Sequence, residues 1–169
     1  MQVKVKKLND NAVIPVYAKQ GDSGFDLVST KYMLIEPGET KIVPTGLSFE
    51  IPEGYEMQVR PRSGVTLRTK LRVQLGTIDS GYRGEIGIII DNISTKIESC
   101  AAIDIKGQTV FERQKNGDPY ELSQGTYMIN AGDRIAQGVI VPVVKSEMVE
   151  TDSLSDSERN TGGFGHTGV

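Results

Sequence analysis

The chain of 169 residues has little of what several classes of protein need. Its single cysteine, Cys100, excludes an intramolecular disulfide and a multi-cysteine zinc site. Its one histidine, His166, lies in a glycine-rich segment far from that cysteine in sequence, so a Cys–His nucleophilic pair is not expected. A lone thiol fits a reducing compartment, and we expect a cytoplasmic protein.

Charge of one sign and long apolar runs are also missing. Lys and Arg total 19 against 22 for Asp and Glu, so no basic surplus indicates nucleic-acid binding. No stretch approaches the length of a membrane span, and residues 1–7 alternate Val with Lys like a strand. The phosphate-loop pattern of ordinary nucleoside triphosphatases is absent. We therefore expect neither a nucleic-acid nor a membrane partner, and any polyanion site must be built locally.

What the sequence does have is strand patterning. Apolar residues alternate over 47–51 and 55–59, and β-branched runs at 86–90 and 139–144 are typical of strands buried on both faces. Nineteen glycines and seven prolines supply the turns between such strands. Only residues 65–71 predict a helix, of one or two turns. The pattern predicts an all-β sandwich or barrel.

Two segments depart from this pattern. Residues 91–130 carry turn residues and mixed charge, which predicts a subdomain of extra hairpins inserted into a core of residues 1–145. A tolerated loop extension is the equal alternative. Residues 146–169 begin as an acidic, serine-rich stretch with little to bury and end in a glycine-rich tail, which predicts an extended arm.

The segment Pro-Arg-Ser-Gly at 61–64 follows a strand and opens the short helix. Backbone N–H groups at a helix start attract anions, and the fork of Arg62 binds phosphate oxygens. The alternative is that Ser63 caps the helix while Arg62 is solvated, and the motif alone favours this alternative.

Two carboxylates stand in turns beside strands. Asp79 lies in the glycine-rich segment 76–84, where a carboxylate can activate water and the ring of Tyr82 can pack on a sugar or base. Asp26, in segment 22–27, is a candidate carboxylate for a hydrated Mg2+. Aspartate is common in turns, so a purely structural role is the alternative for both.

Two further features are ambiguous. Gln137 lies in an apolar run, and a buried amide there is either a structural hydrogen-bond hub or a ligand contact. The tail combines Arg159 and Thr167 with glycines that can wrap phosphates, and Phe164 can stack on a base. A glycine-rich terminus without a binding role is the alternative.

The five segments 22–27, 62–64, 76–84, 132–137 and 159–168, in this order, resemble the motifs of the trimeric dUTPase family. Similar inserts occur in bacteriophage members. The resemblance implies a distorted β jelly roll, the dUTPase β-clip, in a homotrimer with shared active sites, where the arm and tail of one subunit close a neighbour's site. It also implies Mg2+-dependent hydrolysis of dUTP to dUMP and pyrophosphate by attack of water on the α-phosphorus. That reaction limits uracil incorporation into DNA and supplies dUMP.

The resemblance also implies roles for single residues. Asp79 is the catalytic base, and Asp26 holds the metal–triphosphate complex through water. Arg62, Ser63 and Gly64 bind the phosphate chain. The other implied substrate contacts are Gly76, Ile78, Tyr82, Gln137, Arg159, Gly163, Phe164, Gly165, His166 and Thr167. Among these, Tyr82 lies beneath the deoxyribose, Arg159 reaches the γ-phosphate and Phe164 stacks over uracil.

The tail departs from the family pattern at two positions: Asn160 replaces a glycine and His166 replaces a serine. Two other functions share these features. A dCTP deaminase has the same general fold, and a dUTP-responsive regulatory protein would bind a protein partner through residues 91–130. If the chain is encoded by a phage, we expect it in the cytoplasm of the bacterial host.

Overall fold

A computed structural model describes residues 1–95, 97–98, 102–110 and 123–162. In these ranges the chain forms fifteen strands and one helix. The strands are β1 Lys4–Lys7, β2 Phe25–Val28, β3 Met33–Ile35, β4 Thr40–Pro44, β5 Leu47–Glu50, β6 Tyr55–Pro61, β7 Leu71–Val73, β8 Gly76–Ile78, β9 Gly87–Asn92, β10 Ile97–Glu98, β11 Ala102–Asp104, β12 Thr109–Val110, β13 Ser123–Gln124, β14 Thr126–Ile129 and β15 Arg134–Pro142. The helix, α1, spans Ser63–Arg68. The all-β prediction is therefore confirmed, and the one predicted helix begins two residues earlier than expected.

The sheet that carries the site has the strand order β2-β15-β6-β8. Strand β15 is antiparallel to both β2 and β6, and Gln137 pairs with Asp26 on one side and with Arg60 on the other. Directly opposed residues in a sheet lie side by side. The pairing therefore joins three segments that are far apart in sequence, and it delivers Arg62 just beyond the end of β6.

A second sheet, ordered β4-β9-β7, has one face in the core and one face outside. Val43, Ile88 and Ile90 are fully buried, but the burial of β9 alternates along the strand, so the prediction that residues 86–90 are buried on both faces is wrong for the single chain. The opposite face carries Ile42 and Ile89, which pair directly and are 63% and 45% exposed. This face of the sheet therefore presents a pair of apolar side chains to solvent in the single chain.

The strands between β9 and β15 extend the fold. β10 pairs with β13, and the β11–β12 hairpin joins β14, which pairs in turn with β3. Asn92 is 1% exposed, and its amide donates to the carbonyls of Ile35 and Gly125 at 2.9 and 2.7 Å. Residues 91–92 thus end β9 and 126–129 form β14, inside the range predicted as an insert. The division into core and insert stays a prediction.

Residues 143–162 follow β15 and contain no helix or strand. They are exposed, including the apolar side chains of Val144, Met148 and Leu154, each 88–89% exposed. Such side chains stabilise nothing in the single chain, so their burial requires a second molecule. Among the described residues, no helix has both the length and the apolar character to cross a membrane.

Candidate functional site

A cleft of about 840 Å3 opens between β2, the β6–α1 junction and β15. Its walls bring together the predicted residues Asp26, Arg62, Ser63, Gly64 and Gln137, which come from three separate segments of the sequence. The antiparallel pairing of β15 with β2 and β6 explains this convergence.

Arg62 is held in a fixed orientation at the cleft. Its Nε lies 2.8 Å from Oδ1 of Asp26, and its Nη1 donates to the carbonyl oxygen of Arg134 at 2.9 Å. Nη1 of Arg134 lies 3.4 Å from the other carboxylate oxygen of Asp26. Asp26 and Arg62 are each 28% exposed. A preoriented guanidinium loses less entropy when it binds an anion than a free one does.

The start of α1 differs from the simple capping alternative. Arg62 occupies the N-cap position without a side-chain capping bond, and Ser63 is the first helical residue. Ser63 and Gly64 are both exposed to the cleft. The Ser63 hydroxyl is therefore not used to cap the helix.

Gln137 is partly exposed, so the expectation of a fully buried amide is wrong. Its Nε2 donates to the carbonyl oxygen of Pro61 at 2.9 Å. A Cβ placed on Gly24 would lie 2.8 Å from Oε1 of Gln137. Gln137 is thus packed between the end of β6 and the start of β2, where both structural and ligand contacts are accessible to it.

Sequence reasoning missed other cleft residues: Arg68, Lys106 and Arg134. Arg134 stands in the predicted segment 132–137 and pairs with Val28 next to an irregularity of register between Arg134 and Ala136, which the sequence pattern does not indicate. Asp22 and Asp133 also line the cleft, but their carboxylates accept backbone N–H groups of Lys19 and Asn130, each at 2.8 Å. These two acids hold turns.

The segment with Asp79 lies elsewhere in the chain. β8 holds Gly76 and Ile78, and Ile78 pairs with Met57 near the start of β6. If the β6–β8 pairing is extended by one residue beyond Ile78, Asp79 lies beside residue 56. Arg62, in contrast, follows the opposite end of β6. At about 3.4 Å per residue, the six steps from 56 to 62 separate Asp79 from Arg62 by about 20 Å. The chain does not bring them together.

The turn after β8 is built by its own contacts. The backbone N–H of Tyr82 donates to the carbonyl oxygen of Asp79 at 3.1 Å, and the Tyr82 hydroxyl donates to the carbonyl of Glu85 at 3.1 Å. A Cβ on Gly84 would collide with the Tyr82 ring, so a larger residue there would displace the ring from this position. Asp79 and Tyr82 are exposed, and no described residue donates a hydrogen bond to the Asp79 carboxylate. Both side chains are therefore accessible to a ligand or a second subunit.

The tail is described only in part. Nε of Arg159 donates to the carbonyl oxygen of Gly162 at 2.8 Å, within a turn that is not part of the cleft. Asn160 has a φ of +39°, a region that asparagine tolerates better than most residues in place of glycine. Among the described residues, no group of three His, Cys, Asp or Glu side chains is arranged to hold a metal. The other predicted tail contacts lie outside the described residues: Gly163, Phe164, Gly165, His166 and Thr167.

An all-β chain with an arginine-lined cleft and a separate exposed carboxylate is, by class, a protein that binds a phosphorylated ligand. The sequence model of the dUTPase family matches residues 10–116 and 119–168. The deoxyuridine 5'-triphosphate nucleotidohydrolase of Nautilia profundicola is 43% identical over 170 residues, covering 99% of each chain. The chain belongs to the dUTPase family.

Solved structures agree with this assignment. The dUTPase of Staphylococcus bacteriophage 80alpha with dUPNHPP superposes with a TM-score of 0.93 at 35% identity, covering 99% of each chain. A mutant dUTPase from phage phi11 of S. aureus, described with a structural Mg(II) ion, gives a TM-score of 0.82 at 33% identity. It covers 92% of this chain and 100% of that one. The predicted jelly roll of the dUTPase β-clip type and the resemblance to phage members are confirmed.

Proposed function

We propose that this dUTPase hydrolyses dUTP to dUMP and pyrophosphate at sites that each combine the Arg62 cleft of one subunit with the Asp79 turn of another. The main observation in support is that one cleft, in a chain that belongs to this family, brings together five predicted site residues: Asp26, Arg62, Ser63, Gly64 and Gln137. The reaction removes dUTP from the pool for DNA synthesis and supplies dUMP. We place it in the cytoplasm, where that pool lies, and in a bacterial host if a phage encodes the chain.

The cleft supplies positioning and positive charge. Arg62 spreads charge over the phosphate chain from an orientation that Asp26 and the Arg134 carbonyl already fix. Ser63 and Gly64 offer a hydroxyl and unhindered backbone to the same phosphates, and no atom lies within 4 Å of a Cβ built on Gly64. Such preorganised donors lower the barrier to displacement at phosphorus. The amide of Gln137 orients a phosphate oxygen or the water.

The turn after β8 supplies the base and the sugar contact. Asp79 accepts a proton from the attacking water, and its exposed carboxylate is accessible for this role. The Tyr82 ring, fixed by its bond to the Glu85 carbonyl, packs beneath the deoxyribose, where a 2′-hydroxyl would clash. Backbone groups of the neighbouring β8, at Gly76 and Ile78, contact the nucleoside.

The donor set of the cleft fits Mg2+. This ion keeps several waters and is usually bound by one or two carboxylates together with substrate phosphates, rather than by a protein cage. Among the described acids that line the cleft, Asp26 is the one whose carboxylate is not used to hold a backbone turn. Asp26 would hold the ion through water. When bound, Mg2+ neutralises charge that develops on the leaving pyrophosphate.

The separation of the Arg62 cleft from the Asp79 turn supports a homotrimer. About 20 Å separates Asp79 from Arg62 in one chain, whereas the base and the phosphate-binding groups must act on the same triphosphate. In the proposed trimer, a second copy supplies the other group. The exposed Ile42–Ile89 face and the apolar side chains of the arm, residues 143–162, offer surface that subunit contacts would bury.

The tail completes the site. Arg159 reaches the γ-phosphate, Phe164 stacks over uracil, and His166 and Thr167 lie along the phosphates, with Gly163 and Gly165 allowing close approach of the backbone. Closure excludes water other than the nucleophile. A chain ending at residue 158 is expected to bind dUMP but to lose most turnover of dUTP.

The test of this function is pyrophosphate release from dUTP compared with dTTP, dCTP and UTP. We expect turnover of dUTP alone at a substantial rate, because the base and sugar contacts reject the other nucleotides. Product chromatography of the dCTP reaction separates this function from a dCTP deaminase, which would yield dUTP. Equal hydrolysis of all four nucleotides would overturn the proposal.

A second role concerns residues 91–130. The structures of the 80alpha enzyme are described as showing that phage dUTPases control transfer of virulence genes by a proto-oncogenic G protein-like mechanism. That description supports a regulatory role here too, and we propose residues 91–130 as the segment that binds the partner. Partner capture from a host lysate by the whole chain, but not by a chain lacking 96–122, is expected. Equal capture by both would exclude this segment as the binding surface.

A further inference from the structure

The turn between β11 and β12 reaches the cleft, although it belongs to the segment predicted as an insert. Ile105 and Lys106 both line the cleft. One carboxylate oxygen of Asp104 accepts the backbone N–H groups of Lys106 and Gln108, each at 2.9 Å. The N–H of Gly107 donates to the Asp104 carbonyl at 2.9 Å. The turn therefore has a fixed shape.

The same turn is docked on the end of α1. Gly107 has a φ of +82°, and a Cβ there would lie 2.8 Å from the backbone oxygen of Arg68. Only glycine permits this approach. Ile105 packs against the main hydrophobic core. Contacts on both sides of Lys106 thus fix its backbone at the rim of the cleft, beside Arg68.

The charges of the cleft are unevenly compensated. Arg62 and Arg134 both face the carboxylate of Asp26. In contrast, Arg68 and Lys106 form no ion pair with any residue in the described ranges, and both side chains are exposed. Arg68 and Lys106 are therefore the described cations of the cleft that have no carboxylate partner, whereas Arg62 and Arg134 share one. Cations that do not have to give up an ion pair with an acidic residue contribute most to the binding free energy of a polyanionic ligand.

We propose that Lys106 is a substrate-binding residue whose Nζ contacts the terminal phosphates of dUTP, so that this turn forms part of the substrate site. The inference rests on the proposed function and deepens it. We assign the β- and γ-phosphates as the contact of Lys106 because they carry the charge that distinguishes dUTP from dUMP. Arg68, held against the same turn, contributes to the same charge.

The test compares Lys106→Ala, Lys106→Glu and Lys106→Arg in the full chain. We expect Lys106→Ala to raise the KM for dUTP about fivefold at low salt, the upper range for an exposed ion pair, with kcat little changed. Lys106→Glu raises it further, and Lys106→Arg restores it. Inhibition by dUMP stays constant, whereas inhibition by pyrophosphate weakens. Lys31→Glu, an equal charge change at an exposed lysine outside the cleft, is the matched control.

The outcomes separate the two proposals. Normal KM values for Lys106→Ala and Lys106→Glu, in a chain that hydrolyses dUTP, would overturn this inference and leave the function intact. Weakening of dUMP and dUTP binding by the same factor would also overturn it, because the effect would then act through the fold. If the unmodified chain does not hydrolyse dUTP, the proposed function fails, and binding of a non-hydrolysable dUTP analogue to the same variants still decides the role of Lys106.

Discussion

The two ends of strand β6 differ in how many contacts within a single chain hold their side chains in place. Beyond its carboxyl end, Arg62 is fixed by Asp26 and by the Arg134 carbonyl, and Gln137 bonds the Pro61 carbonyl. Beside its amino end, the Asp79 carboxylate is exposed and receives no hydrogen bond from the described residues. The phosphate end is preformed, whereas the end with the proposed base is open.

This difference indicates a division of labour. Binding of phosphate needs fixed charge, which intrachain ion pairs and sheet pairing can supply in advance. Activation of water needs a carboxylate in a closed, partly dry environment, which the open turn of one chain does not provide. In the proposed trimer, folding prepares the binding half of each site, and assembly prepares the catalytic half.

The largest expected effect comes from substitution of Asp79, at the open end of β6. Asp79→Asn is expected to lower kcat by about 100- to 10,000-fold, because the variant cannot accept the proton of the attacking water. Binding of a non-hydrolysable dUTP analogue should change little, since the phosphate end is intact. Pyrophosphate release and calorimetry measure the two effects. Asp152→Asn, an exposed acid of the arm, is the control, and a loss of turnover there would argue against a specific role for Asp79.

Mixed trimers test whether the two ends of β6 that form one site come from different chains. Arg62→Ala alone should lower activity by about 100-fold or more, through loss of a preorganised donor. When Asp79→Asn and Arg62→Ala subunits are unfolded together and refolded at equal amounts, about a quarter of the sites regain both groups if each site draws on two chains. Activity after mixing is the measurement. No recovery, with trimers formed, would mean that both groups act within one chain.

The rigidity of the phosphate end is tested at Gly24. Gly24→Ala places a Cβ 2.8 Å from Oε1 of Gln137, and we expect a cost of about 1–3 kcal/mol in the free energy of unfolding. Urea denaturation measures it. In a Gln137→Ala background the 2.8 Å contact is removed and only the contacts of the methyl with Gly138 and Val139 at 3.3 Å remain, so the cost should shrink. Equal costs in both backgrounds would show that Gln137 is not held where the sheet register sets it.

The smallest expected effect lies away from both ends of β6. The hydrogen bond from Lys4 to Glu50, together with the charge of Lys4, holds the pKa of the Glu50 carboxyl below its ordinary value of 4.5. The stabilisation is therefore complete at neutral pH and is lost as the pH falls below 4.5, through the pKa of the folded state. Lys4→Gln should raise the pKa of Glu50 in an NMR titration and leave dUTP turnover unchanged. An unaltered titration would show that the pair is not formed in solution.

The sequence predicted the strands and the helix better than it predicted which of them lie next to each other and in which register. Strands such as β9 and β15 follow from β-branched runs, and five of the predicted site residues lie together in the cleft. The separation of Asp79 from Arg62 depends on the register of β6 with β8, which no local pattern specifies. Lys106 carries no signal in the sequence because a lysine before a glycine in a turn is common, and only the docking of that turn on α1 gives it a location.

Asn92 has a consequence for how this family can change over time. Its buried amide joins the carbonyls of Ile35 and Gly125, and its Oδ1 accepts the N–H of Ser94 at 3.0 Å. One side chain thus clamps the points where the chain leaves β9 and returns to β14. We therefore expect that a change of length between those points in this chain leaves β15 and the residues it aligns in place.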